Sequence, residues 1–229
     1  MKWTGGRIAL CCFSLILTLV IGGEFIAAAQ FSPPYDWVHN TIGALGATTC
    51  TSLVYPVGIF DVCSPAHVWV NTALVLAGLA MLGISVAGRR IAGFTGWAGL
   101  MWVITGVSTT LSGLIPIDVS REWHSFVTLP LFITWPVAVL VGSGQLRGWV
   151  ARLGFVIGAV GLTAGVWFTM SLGAREFGGL LERLVIWPSV LWVILAAFFG
   201  VARIRACLND LYNPYVRESA EERPQPSGA

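Results

Sequence analysis

Apolar residues in this chain fall in long blocks rather than at the short periods of a water-soluble fold. Six blocks, 8–29, 67–87, 91–115, 124–142, 153–173 and 184–204, reach the roughly 20 residues that a helix needs to cross a hydrocarbon core. Each is bounded by charge, proline or a polar loop. The pattern predicts an all-α fold, a polytopic bundle of six transmembrane helices within 1–205. No repeat or linker divides it. Beyond Arg205 the chain turns polar, and 206–229 is expected to be a cytoplasmic tail, disordered toward its end for want of apolar surface to bury.

Lys and Arg near the block ends orient the bundle. Lys2, Arg7, Arg89, Arg90, Arg147, Arg152, Arg203 and Arg205 fall on one side, and Arg121, Arg175 and Arg183 on the other. The richer side is expected to face the cytoplasm, which with six spans puts both termini inside. Trp37, Trp69 and Trp123 at the outer boundary and Trp3 and Trp149 at the inner one fit an aromatic belt. The first block, with Lys2, Arg7 and Ala27-Ala28-Ala29, has the look of a cleavable signal peptide. Gly22, Gly23 and Glu24 interrupt its apolar run, and it is long enough to span, so it reads as a retained helix.

Composition supports a membrane reading. The chain is 56% hydrophobic and 10% charged, with a mean hydropathy of +0.79, where a soluble domain carries about 25% charged residues. Lipid is the expected partner over most of the surface. No basic patch with interleaved aromatics points to nucleic acid. Twelve arginines against one lysine fit a GC-rich bacterial genome, and the plasma (inner) membrane is the expected location.

The ionisable residues are unevenly placed. Outside the tail, Glu24, Asp36, Asp61, Asp118, Glu122, Glu176 and Glu182, with His39, His67 and His124, all fall in outer loops or near outer span ends. Clusters of this kind at membrane depth often mark functional sites, while ordinary solvated loops are the plainer alternative. Glu24 lies roughly 7–8 Å inside the end of span one by helical rise. A carboxylate at that depth needs the bundle interior, a partner or a watery cavity, unless it snorkels to the interface. Glu24, Asp118, His124 and Glu182 are the candidate catalytic residues, expected to converge on one outward-facing cavity. Asn40, Asn71 and Arg183 are the candidate ligand-binding residues.

His39, His67 and His124 with nearby carboxylates could furnish zinc ligands. No paired-histidine or Cys-x-x-Cys spacing supports a metal, so no metal site is assigned and no cofactor is implied. Gly154, Gly158, Gly161 and Gly165 line one face of span five and read as a packing seam. Pro130 and Pro136 should kink span four. The outer loop 30–66 is long for a connection. Its 36–47 stretch could form a short interfacial helix with Trp37, Ile42 and Leu45 toward the bilayer. Cys50 and Cys63 face the oxidising side with no competing cysteine there, and are expected to form a disulfide. Cys11, Cys12 and Cys207 fall on the cytoplasmic side.

The run Tyr35-Asp36-Trp37-Val38-His39-Asn40-Thr41-Ile42-Gly43-Ala44-Leu45-Gly46 resembles the signature of a prokaryotic membrane family known as domain of unknown function 998. That family tends to show a Tyr, then Asn-Thr-Ile-Ser-Asp-Leu-Gly, after span one. Asn71 with Gly78, the run Gly113-Leu114-Ile115-Pro116 with Asp118 and His124, and Gly179-Leu180-Leu181-Glu182-Arg183 with Trp192 are similar too. The resemblance implies six helices in a membrane and carries no activity. This chain departs from the pattern at Gly43-Ala44, where the family has Ser-Asp.

Three functions remain open. The first is a membrane enzyme, such as a hydrolase, or a lipid-handling protein with an outward polar pocket. There Glu24 or His124 would be the general base and Arg183 would hold an anionic head group. The second is a small-molecule transporter, against which stands the absence of charge at mid-depth in spans two to six. The third is a non-catalytic accessory protein that binds a partner through its outer loop.

Overall fold

The computed structural model describes residues 5–55, 58–91, 96–171 and 177–200. The predicted tail 206–229 lies outside the described residues, as do Lys2, Trp3, Arg175, Glu176, Arg203, Arg205 and Cys207. The chain is mostly helical. In order come α1 (Gly5–Ile16), α2 (Thr18–Ala28), the short α3 (Ile42–Leu45), β1 (Thr51–Tyr55), β2 (Gly58–Val62), α4 (His67–Ile91), α5 (Gly96–Leu114), α6 (Arg121–Gly144), α7 (Trp149–Met170) and α8 (Gly178–Leu195). A π-helical turn over Ala196–Gly200 follows α8.

Five helical stretches are long and apolar enough to cross a membrane: 5–28, 67–89, 121–144, 149–170 and 178–199. They mark a multi-pass membrane protein. The first is α1 and α2 in sequence, parted at Leu17. There Thr18 donates its hydroxyl to the Leu15 carbonyl at 2.7 Å, a local bond that competes with the helix ladder.

The helix predicted over 91–115 is present as α5, packed against both α4 and α6, but its hydropathy falls short of that of the five stretches above. Its hydroxyls explain why. Thr105, Ser108, Thr109 and Ser112 share one face and are buried, while Leu100, Val107 and Leu114 point outward. Thr105 meets Thr134 at 2.7 Å and Ser112 meets Thr128 at 2.8 Å. Ser108 donates to the Val127 carbonyl. An apolar outside with a hydrogen-bonded polar seam inside is how helices associate where lipid supplies no hydrophobic drive.

The glycines of span five do form a packing seam. An added Cβ at Gly154 would sit 2.0 Å from Ser143 Oγ, and one at Gly165 would sit 2.0 Å from the Phe132 carbonyl oxygen. Phe132 lies four residues before Pro136, which has no N–H to give that carbonyl. Glycine lets α7 close onto the freed oxygen.

The outer loop departs from expectation. Helix forms only over Ile42–Leu45, and Ile42 and Leu45 are 4% and 0% exposed. They pack into the protein, not toward the bilayer. Apolar periodicity states that a face is buried without stating by what. Thr41 caps this turn by accepting the Ala44 N–H on its side chain. Downstream, β1 and β2 form an antiparallel hairpin in which Thr51 pairs with Val62. Cys50 and Cys63, one step beyond that pair, form the expected disulfide. Ser32 bridges to Cys63, so the start of the loop is tied to its end.

Candidate functional site

Residues of α8 organise the end of the bundle that carries the 30–66 loop. Arg183 is 6% exposed, and each nitrogen of its guanidinium faces a protein group. Nε lies 3.1 Å from Glu24 Oε2. One terminal nitrogen donates to the carbonyls of Trp37, Asn40 and Gly179 at 2.9, 3.2 and 2.9 Å. The other donates to the Tyr35 hydroxyl at 2.6 Å, and that hydroxyl in turn donates to the carbonyls of Asn40 and Thr41. Aromatic rings of Tyr35, Trp37 and Trp187 surround the cation at 4.9 to 5.9 Å. Burial pushes the Tyr35 hydroxyl well above its usual pKa against the opposing pull of Arg183, so it stays a phenol.

Glu24 is wholly buried and inward-facing. It accepts the Trp187 indole N–H at 3.0 Å besides pairing with Arg183. A buried charge at this depth needs such a partner. Gly179 makes the arrangement possible, because a Cβ there would stand 2.2 Å from the Asn40 carbonyl oxygen.

Glu182 is the next residue on α8 and, at helical spacing, faces another way. It is 5% exposed. Its Oε2 accepts the Ile42 N–H, while Oε1 has no hydrogen-bond partner among the described residues. His124 at the start of α6 is 7% exposed. Its Nδ1 sits 2.6 Å from the Ile115 carbonyl, which assigns the proton to Nδ1 and leaves Nε2 as an acceptor. Nε2 faces Gly43, where an added Cβ would lie 3.0 Å away.

Glu182 and His124 line one cavity of about 40 Å³. Thr41, Ser125 and Thr128 complete its polar wall, and Ile117, Leu129, Phe132 and Phe168 form the apolar one. Glu24 and Asp118 are not on its lining. Asp118 instead clamps the outer loop, taking bonds at 2.9 Å from the N–H and hydroxyl groups of both Thr48 and Thr49. Partial burial raises its pKa, but these four bonds outweigh burial and hold the carboxyl below its usual range.

The other predicted residues fix the loop. Asn71 donates to the Gly46 carbonyl at 2.9 Å, and Asn40 contributes its backbone carbonyl. His39 pairs with Asp36 at 2.7 Å on the surface, and that bond, with the Val38 N–H, lowers the Asp36 carboxyl. His67 contacts the Ser64 carbonyl at 2.9 Å. The three histidines thus have separate local partners, and no group of three His, Cys, Asp or Glu able to hold a metal is gathered among the described residues. Tyr35, Trp187, Ser125 and Thr128 were not singled out from sequence. Only Tyr35 carried a signal, as the first residue of the loop signature.

No curated protein and no solved structure matches this chain. The profile of the family described as a protein of unknown function, DUF998, matches residues 14–198, which takes in the loop signature, both residues of the cavity pair and the α8 network, and the chain belongs to that family.

Proposed function

We propose that this is a six-span protein of a bacterial plasma membrane, with both termini in the cytoplasm, that handles a lipid or other amphipathic molecule through its outward-facing cavity. The observation that carries the reading is the meeting of Glu182 and His124, each more than nine-tenths buried, on one cavity with an apolar wall. Concave, mostly apolar sites with a few convergent polar groups are the usual form of small-molecule sites. In this reading Glu182 and His124 touch the ligand, and His124 Nε2 is the available base. Glu24, Arg183, Asn40 and Asn71 are positioning residues that hold the loop against α8. Asp118 fixes the same loop from its far side.

The orientation rests on the Lys/Arg asymmetry, and the sixth span on α5, whose exposed face is apolar and whose hydroxyls turn inward. Alkaline phosphatase fused after Arg205 should be inactive, and strong activity there would overturn the topology. For the cavity, the unaltered chain purified in mild detergent should retain a lipid or amphipath by mass spectrometry. Leu129→Trp, which fills the cavity, should lose it. Equal retention by both would refute the site.

A further inference from the structure

We infer that the cavity takes a primary ammonium group carried on an apolar chain. The inference rests on the cavity being a ligand site and names the chemistry of that ligand.

The charges decide it. Arg183 gives its ion pair to Glu24 and its other donors to backbone carbonyls and Tyr35. Each of its guanidinium nitrogens already faces a protein acceptor, and Arg183 is not on the cavity lining, so the arginine at this end of the bundle does not give the cavity an anion site. Glu182, the second buried carboxylate, forms no ion pair among the described residues, and its one bond comes from the Ile42 N–H.

What the cavity offers is acceptors. Glu182 Oε1 and His124 Nε2 have no hydrogen-bond partner among the described residues, and both side chains line the cavity. His124 cannot also donate from Nε2, because its proton is committed to the Ile115 carbonyl. The backbone holds the pair in place: Ile42 anchors Glu182, and Gly43, next in the chain, keeps the space before His124 Nε2 clear. Thr128 adds a hydroxyl already bonded to Ser112.

A ligand suited to this wall carries positive charge and several N–H donors in a compact group. A primary ammonium has three donors and one charge, which answer a carboxylate, an imidazole nitrogen and a hydroxyl. Size agrees. A single water needs about 10–15 Å³ of such space, so the cavity of about 40 Å³ admits an ammonium and its first methylenes but not a whole phospholipid head. Phe132, Phe168 and Leu129 cover the methylenes. A quaternary ammonium fails on both counts, having no N–H and too much bulk.

Two sources carry this chemistry, an ethanolamine lipid head and a free alkylamine. Calorimetric titration of the purified full chain in detergent with hexylammonium, hexyltrimethylammonium, hexanol and hexanoate tests the shared chemistry. Hexylammonium should bind best, and Glu182→Gln should weaken it by about tenfold or more, as loss of a charged hydrogen bond does. If Glu182→Gln does not fold, the comparison of hexylammonium with its trimethyl analogue on the unaltered chain still decides. Native mass spectrometry from bilayer discs holding equal phosphatidylethanolamine and phosphatidylglycerol separates the sources. Preferred retention of the ethanolamine lipid assigns the lipid head, and hexylammonium binding without that preference assigns a free amine. Hexanol or the trimethyl compound binding as tightly as hexylammonium overturns the ammonium inference while leaving the cavity a ligand site. No bound probe and no retained lipid overturns both.

Discussion

Glu182 and Arg183 are adjacent on α8 and both buried, yet the cation pairs with Glu24 at 3.1 Å and not with its neighbour. Successive residues on a helix point about 100° apart. One therefore faces span one and the folded-back loop, and the other faces α6 and the cavity. The two buried carboxylates at this end are in this way set apart, one paired with the cation and one on the cavity lining.

Breaking that pair should be costly. Removing one partner of a buried ion pair typically costs about 3–5 kcal/mol. Arg183→Met should destabilise more than Glu24→Gln, because it also strands the carbonyls of Trp37, Asn40 and Gly179. Thermal unfolding in detergent ranks the two, and the opposite order would show that the carbonyl contacts contribute little.

The Asp118 clamp predicts a pH dependence of definite sign. Its carboxyl titrates below its usual value, so between the folded and unfolded pKa values the unfolded chain binds more protons. Its share of stability is full above about pH 5 and fades as pH falls through the folded value. Asp118→Asn should therefore be less stable than the unaltered chain at pH 7, with the gap narrowing as the pH is taken down through and below the ordinary carboxylate range. A gap that stays constant over that range would mean the carboxylate charge is not what holds Thr48 and Thr49.

The glycine seam offers a graded series. Gly165→Ala meets the backbone of Phe132, which cannot swing aside, whereas at Gly22 nothing lies within 4 Å of an added Cβ. Overpacking of this kind costs about 1–3 kcal/mol. Gly165→Ala should lower the unfolding temperature and Gly22→Ala should leave it unchanged or slightly higher. Equal effects at the two positions would remove the seam from the account of α7 packing.

The disulfide predicts a labelling pattern. Without reductant, Cys50 and Cys63 should resist alkylation in denatured protein while Cys11 and Cys12, both free thiols, react. Reduction should loosen the hairpin, by about 3 kcal/mol for a loop of this size in the chain-entropy model, and quicken its cleavage by protease. Full labelling of Cys50 and Cys63 without reductant would disprove the bridge.

Much of the helix layout was legible because a span depends on local apolar content alone. The disulfide was legible because only Cys50 and Cys63 fall in the 30–66 loop. Glu24 was legible as a group needing a partner, since depth follows from helical rise. The identity of that partner was not, because it depends on Arg183 lying against a loop folded back between the ends of α2 and α8. The same hidden contact is why the sequence shows Arg183 only as a candidate ligand-binding residue and not as the partner of Glu24, Tyr35 and the loop carbonyls. The cavity itself was legible only in part. His124 and Glu182 were both candidates, but nothing local tells that Asp118 would be drawn away by Thr48 and Thr49. The direction of Ile42 and Leu45 was misjudged for a related reason: a bilayer and a protein core ask for the same residues.

The dependence of the 35–42 loop on α8 has a consequence for biogenesis. Chains are made from the N-terminus, so the carbonyls of Trp37 and Asn40 and the N–H of Ile42 are synthesised long before Arg183 and Glu182 exist to meet them. Until α8 arrives, the 35–42 stretch lacks these partners and the carboxylate of Glu24 lacks its counter-ion. Formation of the site thus waits on α8, and a chain stalled before it would carry an unpaired acid in its first helix.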